Sequence, residues 1–278
     1  MAILVAFLVV AAIALVLGIA LAVLSHFFAV PEDPTYTKIR ACLPGINCGA
    51  CGYKGCDDYA AALTEGGVSP SLCVPGAQDV ADQIGGILGV EAEAFKDVVA
   101  FVACNGNCEA TADKAAYDGV PTCAAASMLY GGPGQCTYGC LGLGDCAKAC
   151  PADAICTIDG IAHVDTTRCL GCGVCAAACP KGVIHMVPQE SAVAVMCSSK
   201  AKGADARKAC KNACIGCMKC QKTCPQNAIA VVDNLAIINY DKCIGCGACA
   251  ESCPTGCLKK VLFQNLPEGV DADDLLNG

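Results

Sequence analysis

The sequence predicts an α+β chain: one long apolar helix at the N-terminus, then small cysteine-rich modules built from short helices and hairpins. Three observations carry this. Ala2 to Leu24 is an unbroken run of apolar residues and Gly18. The 278 residues include 28 Cys but only 6 Phe, 7 Tyr and no Trp, so a large aromatic core is not available. Between Cys123 and Cys257, moreover, one pattern is written twice, since a shift of 74 residues lays Cys123 on Cys197, Cys136 on Cys210, Cys140 on Cys214, Cys146 on Cys220 and Cys150 on Cys224. The same shift lays Cys169, Cys172, Cys175 and Cys179 on Cys243, Cys246, Cys249 and Cys253, with Pro151 on Pro225 and Pro180 on Pro254. Such a repeat marks a duplicated structural unit.

Taken in order, residues 1–30 read as a transmembrane anchor. At about 1.5 Å per residue, a helix of this length crosses a hydrocarbon core of about 30 Å. No Lys or Arg precedes the run, whereas a signal peptide carries a basic start and a shorter apolar stretch. The first basic residues, Lys38 and Arg40, follow the span, which places the remainder on the cytoplasmic side of the inner membrane in a single-pass topology. The cytosol also keeps thiols reduced, so 28 Cys at ligand-like spacings point to metal rather than to disulfides.

Residues 31–76 form a four-Cys module. After a linker with a short turn of structure come Cys48, Cys51 and Cys56 among glycines. A short helix from Asp57 to Glu65, capped by Asp57 and stopped at Gly66, leads to the returning Cys73. Four thiolates so arranged can enclose one compact centre, read as [4Fe–4S]. Cys42 falls outside the spacing. Residues 77–135 read as a connector, with a helix over Ala77 to Val102 carrying Val80, Ile84, Ile87, Phe95, Val98, Val99 and Val102.

The duplicated units follow at 136–190 and 191–260. The second contains Cys214, Cys217, Cys220 and Cys224–Pro225, then Cys243, Cys246, Cys249 and Cys253–Pro254. Each is C-x2-C-x2-C-x3-C-P, the bacterial ferredoxin run for [4Fe–4S] ligation, whose fourth Cys serves the other cluster. Cys214, Cys217, Cys220 and Cys253 are therefore assigned to one centre, and Cys243, Cys246, Cys249 and Cys224 to another. Ala228 to Asn239 between the runs reads as a hairpin about Asp233-Asn234. In the first unit Cys169, Cys172, Cys175 and Cys179–Pro180 make a complete run, but the upstream run has Leu143 where the second has Cys217. Cys136 is the nearest replacement. The expected sets are Cys136, Cys140, Cys146 and Cys179, and Cys169, Cys172, Cys175 and Cys150. The chain is thus two tandem two-cluster bacterial ferredoxin-like domains behind a four-Cys Fe–S module and an anchor.

That makes five [4Fe–4S] clusters. A sixth draws on what is left: Cys104 or Cys108, with Cys123, Cys197 and Cys210. Cys42, Cys156 and Cys257 read as buried apolar thiols. Residues 261–278 form an acidic tail. The net charge of −8 argues against nucleic acid as a partner. Against that background Lys200, Lys202, Arg207, Lys208, Lys211, Lys219 and Lys222 are a local reversal, opposed only by Asp205, and suit an acidic docking partner such as a soluble ferredoxin. There is no G-x-G-x-x-G after a strand, no P-loop and no nucleophile elbow, so the chain carries no visible nicotinamide, ATP or hydrolytic site and no catalytic side chain.

An anchor, then Leu43-Pro-Gly-Ile-Asn-Cys48-Gly-Ala-Cys51-Gly-Tyr-Lys-Gly-Cys56, then ferredoxin runs, resembles the B-type subunit of the Rnf complex. The doubled region with Cys136 to Cys146 resembles its longer, multi-ferredoxin form. The resemblance implies an electron-transfer subunit of a ferredoxin:NAD oxidoreductase that translocates Na⁺ or H⁺, with flavin and NAD sites on other membrane and peripheral subunits. It implies that electrons enter from reduced ferredoxin and leave toward the membrane subunits. Two other readings stand beside it: a polyferredoxin subunit of a membrane hydrogenase or formate dehydrogenase, and a zinc-stabilised interaction module.

Overall fold

The structure is a computed structural model and describes residues 2–27, 33–94 and 97–261. Phe95 and the acidic tail beyond Val261 lie outside the described residues. The N-terminal run forms one 26-residue helix, α1 (Ala2–Phe27). Among the described residues no helix is long and apolar enough to cross a membrane.

The first module is helical. Proline at the first position and the Asp33 side chain, accepting the Thr35 N–H at 2.8 Å, start α2 (Pro34–Cys42), where the sequence predicts a linker with a short turn. Helix α3 (Cys56–Glu65) begins after Gly55 rather than at an Asp57 cap, and ends at Gly66. Two single 3₁₀ turns, Pro70–Leu72 and Val74–Gly76, lead into α4 (Ala77–Leu88). Ile39, Leu43, Tyr59, Leu63 and Ile84 pack together with Cys73. Tyr59 is 1% exposed and its hydroxyl is satisfied, donating to Ser69 O at 2.8 Å and accepting from Leu72 N–H at 3.3 Å.

The helix expected over Ala77 to Val102 stops early. Gly89 adopts a left-handed φ of 70° and ends α4, and the β-branched run beyond it is strand β1 (Val98–Val102). This strand pairs antiparallel with β4 (Ile184–Pro188), so the segment expected to be a connector opens the first ferredoxin-like unit. Inside that unit lie α5 (Cys123–Met128), α6 (Asp145–Lys148), the hairpin of β2 (Ile155–Ile158) and β3 (Ile161–Val164), and α7 (Val174–Ala178). The second unit repeats the plan. Strand β5 (Val193–Val195) pairs with β8 (Leu258–Lys260), and β6 (Ile229–Val232) with β7 (Leu235–Ile238). Between them come α8 (Gly203–Ala209), α9 (Lys219–Thr223) and α10 (Ala248–Glu251). The expected turn of the second hairpin is present, with Asp233 and Asn234 at φ 50° and 64°, as a two-residue type I′ connection requires.

Strand pairing corrects the repeat register. Val102 lies opposite Ile184 and Val195 opposite Leu258, so the strand leading to Cys104 is the counterpart of the strand leading to Cys197. Cys123, which the 74-residue shift lays on Cys197, instead sits in a longer excursion of the first unit between Cys104 and Cys136. The two units are joined along these segments. Ser198 Oγ donates to Ala103 O, Asn212 Nδ2 to Asn105 O and Lys211 N–H to Ala110 O, each at 2.8 Å, and Thr111 Oγ1 donates to Ala209 O at 2.7 Å.

Gly171 shows how closely the cysteine loops meet the strands. It has a φ of 65°, and a Cβ there would run into the carbonyl of Val98 and also meet Val74 of the first module. Gly171→Ala is expected to destabilise the chain by about 2 kcal/mol or more, from the left-handed backbone and the collision together. Denaturant unfolding followed by circular dichroism checks this.

Candidate electron-transfer centres

In the first module, Leu43, Pro44, Tyr59 and Pro75 wall a small pocket lined by Cys48, Cys51, Cys56 and Cys73. Asn47 Oδ1 accepts the Cys56 N–H at 2.8 Å, which holds the glycine-rich loop to the start of α3. Burial pushes the Cys73 thiol up to about 11, with Cys56, Cys48 and Cys51 adding to the rise. In the second unit one pocket gathers Cys214, Cys217, Cys220 and Cys253, and another Cys224, Cys243, Cys246 and Cys249. These are the crossed groupings expected from the run spacing. In the first unit Cys150, Cys169 and Cys172 surround Cys175, whose thiol is pushed up to about 11 by burial and then by those neighbours.

The remaining centre departs from expectation. Cys140, Cys146 and Cys179 share their pocket with Cys123, not with Cys136. The thiol of Cys146 is pushed up to about 12 by burial, with Cys140, Cys123 and Cys179 contributing. Cys123 is brought there as the first residue of α5, whose cap is Thr122, accepting the Ala125 N–H at 3.2 Å. Asp145, beside Cys146, accepts the Ala124 N–H at 2.9 Å and ties α5 to the run. Cys123 thus lies with Cys140, Cys146 and Cys179, beside the run in which Leu143 brings no thiol, rather than with Cys104, Cys197 and Cys210 where the leftover count placed it.

Cys136 is free for another role. A cavity of about 360 Å³ lies between the two units and is lined by Cys104, Cys108, Cys136, Cys140, Cys197 and Cys210. Cys104 and Cys136 come from the first unit, Cys197 and Cys210 from the second. The Cys136 thiol helps raise Cys104, Cys197 and Cys210, in each case after burial as the leading cause. A near twofold correspondence runs through the hydrogen bonds. Cys104 Sγ accepts from Cys140 N–H at 3.4 Å, and Cys197 Sγ from Cys214 N–H at 3.3 Å. Cys104 Sγ also accepts from Gly106 N–H and Cys197 Sγ from Ser199 N–H, both at 3.4 Å. This is the bond that Gly171 N–H makes to Cys169 Sγ at 3.4 Å in a complete run. Cys108 is exposed and reaches the cavity beside the β2–β3 turn, with its N–H donating to Asp159 O at 3.0 Å.

These groups suit cubane clusters in donor chemistry and spacing. Five of them set four thiols around a pocket, and the sixth gathers Cys150, Cys169 and Cys172 about Cys175. Among the described residues no three Cys, His, Asp or Glu side chains converge closely enough for a single ion. A cubane binds one iron per thiolate, so its ligands stand wider apart than the four sulfurs around one zinc. N–H groups aimed at Sγ also favour the thiolate form that ligation needs. The groups follow one another in space. Cys48 of the first module helps raise Cys172 of the first unit, and the N–H contacts to Cys104 and Cys197 link the cavity to a centre on either side.

Comparison with known proteins agrees. Residues 43–75 match a family model described as "Putative Fe-S cluster", residues 162–185 a 4Fe-4S binding domain and residues 213–257 a 4Fe-4S dicluster domain. The chain is 42% identical over 229 residues to the B-type subunit of the Na⁺-translocating ferredoxin:NAD⁺ oxidoreductase complex of Acetobacterium woodii, covering 82% of this chain and 69% of that protein. It is 46% identical over 229 residues to the B-type subunit of the proton-translocating ferredoxin:NAD⁺ oxidoreductase complex of Clostridium ljungdahlii, covering 82% and 81%. To the B-type subunit of the ion-translocating oxidoreductase complex of Methanosarcina acetivorans it is 39% identical over 235 residues, covering 84% and 89%. Cysteine groups, family models and relatives together establish that this chain belongs to the family of B-type subunits of ion-translocating ferredoxin:NAD oxidoreductase complexes, the Rnf complexes.

Proposed function

We propose that this chain receives electrons from reduced ferredoxin at its second ferredoxin-like unit and conducts them through six centres to partner subunits at the membrane. Its place as an electron-transfer subunit of a ferredoxin:NAD oxidoreductase follows from its family. The observation that supports the path is the unbroken succession of thiol groups described above. It runs from the module behind α1 to the far unit, by way of the cavity shared between the two.

Bound [4Fe–4S] clusters supply one-electron carriers; the residues of this chain fix where they sit and how readily each accepts charge. The proposed ligands are Cys48, Cys51, Cys56 and Cys73; Cys150, Cys169, Cys172 and Cys175; Cys123, Cys140, Cys146 and Cys179; Cys104, Cys136, Cys197 and Cys210; Cys214, Cys217, Cys220 and Cys253; and Cys224, Cys243, Cys246 and Cys249. Entry at the second unit is supported by exposure. Cys217 and Cys246 are exposed, as are Met218 and Ile244 beside them. All seven basic residues from Lys200 to Lys222 are exposed on the same unit. Apolar contact at the centre and a cationic rim suit an acidic, small redox protein. The apolar run from Ala2 to Leu24, with basic residues only after it, supports a single-pass anchor in the inner membrane, with the cysteine modules on the cytoplasmic side.

Anaerobically purified chain is expected to bleach near 400 nm on mixing with reduced ferredoxin, and to co-purify with NAD-linked flavoprotein subunits. Co-purification with a nickel or molybdenum subunit would instead support the hydrogenase or formate dehydrogenase reading.

A further inference from the structure

Cys257 belongs to none of the six proposed ligand groups, yet it is 1% exposed and lies against one of them. It lines the pocket of Cys214, Cys217, Cys220 and Cys253, and Cys253 Sγ donates to its Sγ at 3.9 Å, a bond whose direction must reverse once Cys253 is a thiolate ligand. Cys214 lines the same pocket and packs in the same core cluster. The position of Cys257 is fixed by the sheet. It immediately precedes Leu258 of β8, and its carbonyl accepts the Met196 N–H at 2.7 Å, next to Cys197 of the shared cavity. The duplicated unit shows what this place holds when it serves packing alone. The residue immediately before Ile184 of β4 is Val183, equally buried at 1%. The two side chains are similar in size, so a cysteine is not needed to fill the space. What differs is a proton that valine does not have.

Cys214, Cys253 and Cys257 all fall within residues 213–257, the stretch that matches a 4Fe-4S dicluster domain. With four thiols already present in that pocket, Cys257 is left as a neutral thiol whose only available role toward the sulfurs is donor. A donor to a ligand sulfur draws charge from the cluster and favours its reduced, more negative form, which raises the reduction potential. We propose that Cys257 is a positioning residue that keeps its proton and donates an S–H hydrogen bond to the ligand sulfurs of Cys253 and Cys214. It thereby raises the potential of the centre that adjoins the shared cavity in the second unit. The first unit lacks this device at its corresponding centre. There Val183 replaces Cys257, and Lys181 stands where the second unit has Thr255, whose hydroxyl is 3.7 Å from Cys253 Sγ. The duplication has thus been differentiated at the donors around the fourth ligand.

This inference rests on Cys214, Cys217, Cys220 and Cys253 holding a cluster, and iron content tests that premise separately. The experiment is an EPR-monitored redox titration of the full chain with its clusters, comparing wild type, Cys257→Val and Cys257→Ser. The centre concerned is identified by its loss in Cys217→Ala. Cys257→Val, the residue the first unit uses, is expected to keep its iron and to move that one midpoint to a more negative potential. Cys257→Ser, which retains a donor, is expected to hold the midpoint at or above the wild-type value. Equal midpoints in all three proteins would overturn the proposal, as would an equal shift in both variants, which marks packing alone. Loss of about four iron atoms in Cys257→Val and Cys257→Ser would also overturn it, by making Cys257 a ligand. Unchanged iron in Cys217→Ala would instead remove the premise.

Discussion

Cys123→Ala and Cys136→Ala are each expected to lower iron content by about four atoms per chain, from about 24 to about 20, and the double variant to about 16. Changes at independent sites add, whereas two changes to one site do not. Were Cys136 the fourth ligand of the Cys140, Cys146 and Cys179 centre and Cys123 outside every cluster, Cys123→Ala would leave iron unchanged. The double variant would then match Cys136→Ala alone. The structure separates the two cysteines by the Asp145 contact that draws Ala124, and with it Cys123, to the upstream run. It also sets Cys136 among Cys104, Cys197 and Cys210. Electron flow should distinguish the variants further. Cys136→Ala interrupts the succession between the two units, so the far unit is still reduced by ferredoxin while the first module is not. Iron and sulfide analysis with EPR of the ferredoxin-reduced protein measures both effects.

The second large effect is expected at the surface of the far unit. Lys208→Glu with Lys219→Glu should slow reduction by ferredoxin by about tenfold at low salt and flatten its salt dependence. Both side chains are exposed, Lys208 in α8 and Lys219 at the start of α9, two residues from the exposed Cys217. Charges so placed act on encounter more than on affinity, so the association rate carries the signal. Stopped-flow mixing over a salt series checks it. A rate that is unchanged at every ionic strength would move the docking site elsewhere on the chain.

The groupings in the second unit are legible in the sequence because complete runs impose them locally: in each, two gaps of two residues and one of three leave the chain little choice. The Asp233-Asn234 hairpin is equally legible, since its turn chemistry is local. Cys123 is not. It stands in no run, and its position depends on Asp145, through a contact 21 residues along the chain. A cysteine-to-cysteine match at the 74-residue shift pairs it with Cys197, while the true counterpart is marked by a weaker signal. Val98-Val99-Ala100-Phe101-Val102-Ala103 before Cys104 resembles Val193-Ala194-Val195-Met196 before Cys197. The same run reads as the end of a helix because a short apolar stretch fits either period, and only its pairing with Ile184 to Pro188 decides for strand.

The cavity between the units also bears on biogenesis. The four ligands proposed for it, Cys104, Cys136, Cys197 and Cys210, come two from each half, and the segments leading to them are held by Ser198 on Ala103 and Asn212 on Asn105. Neither half alone can complete that ligand set, whereas every other set closes within one module. Loading of this proposed centre would therefore wait on docking, and once loaded it would resist separation, because whatever binds only the joined form stabilises it. On the proposed ligand sets, maturation would run from the ends to the seam, and a chain with one defective half would be left open-circuited.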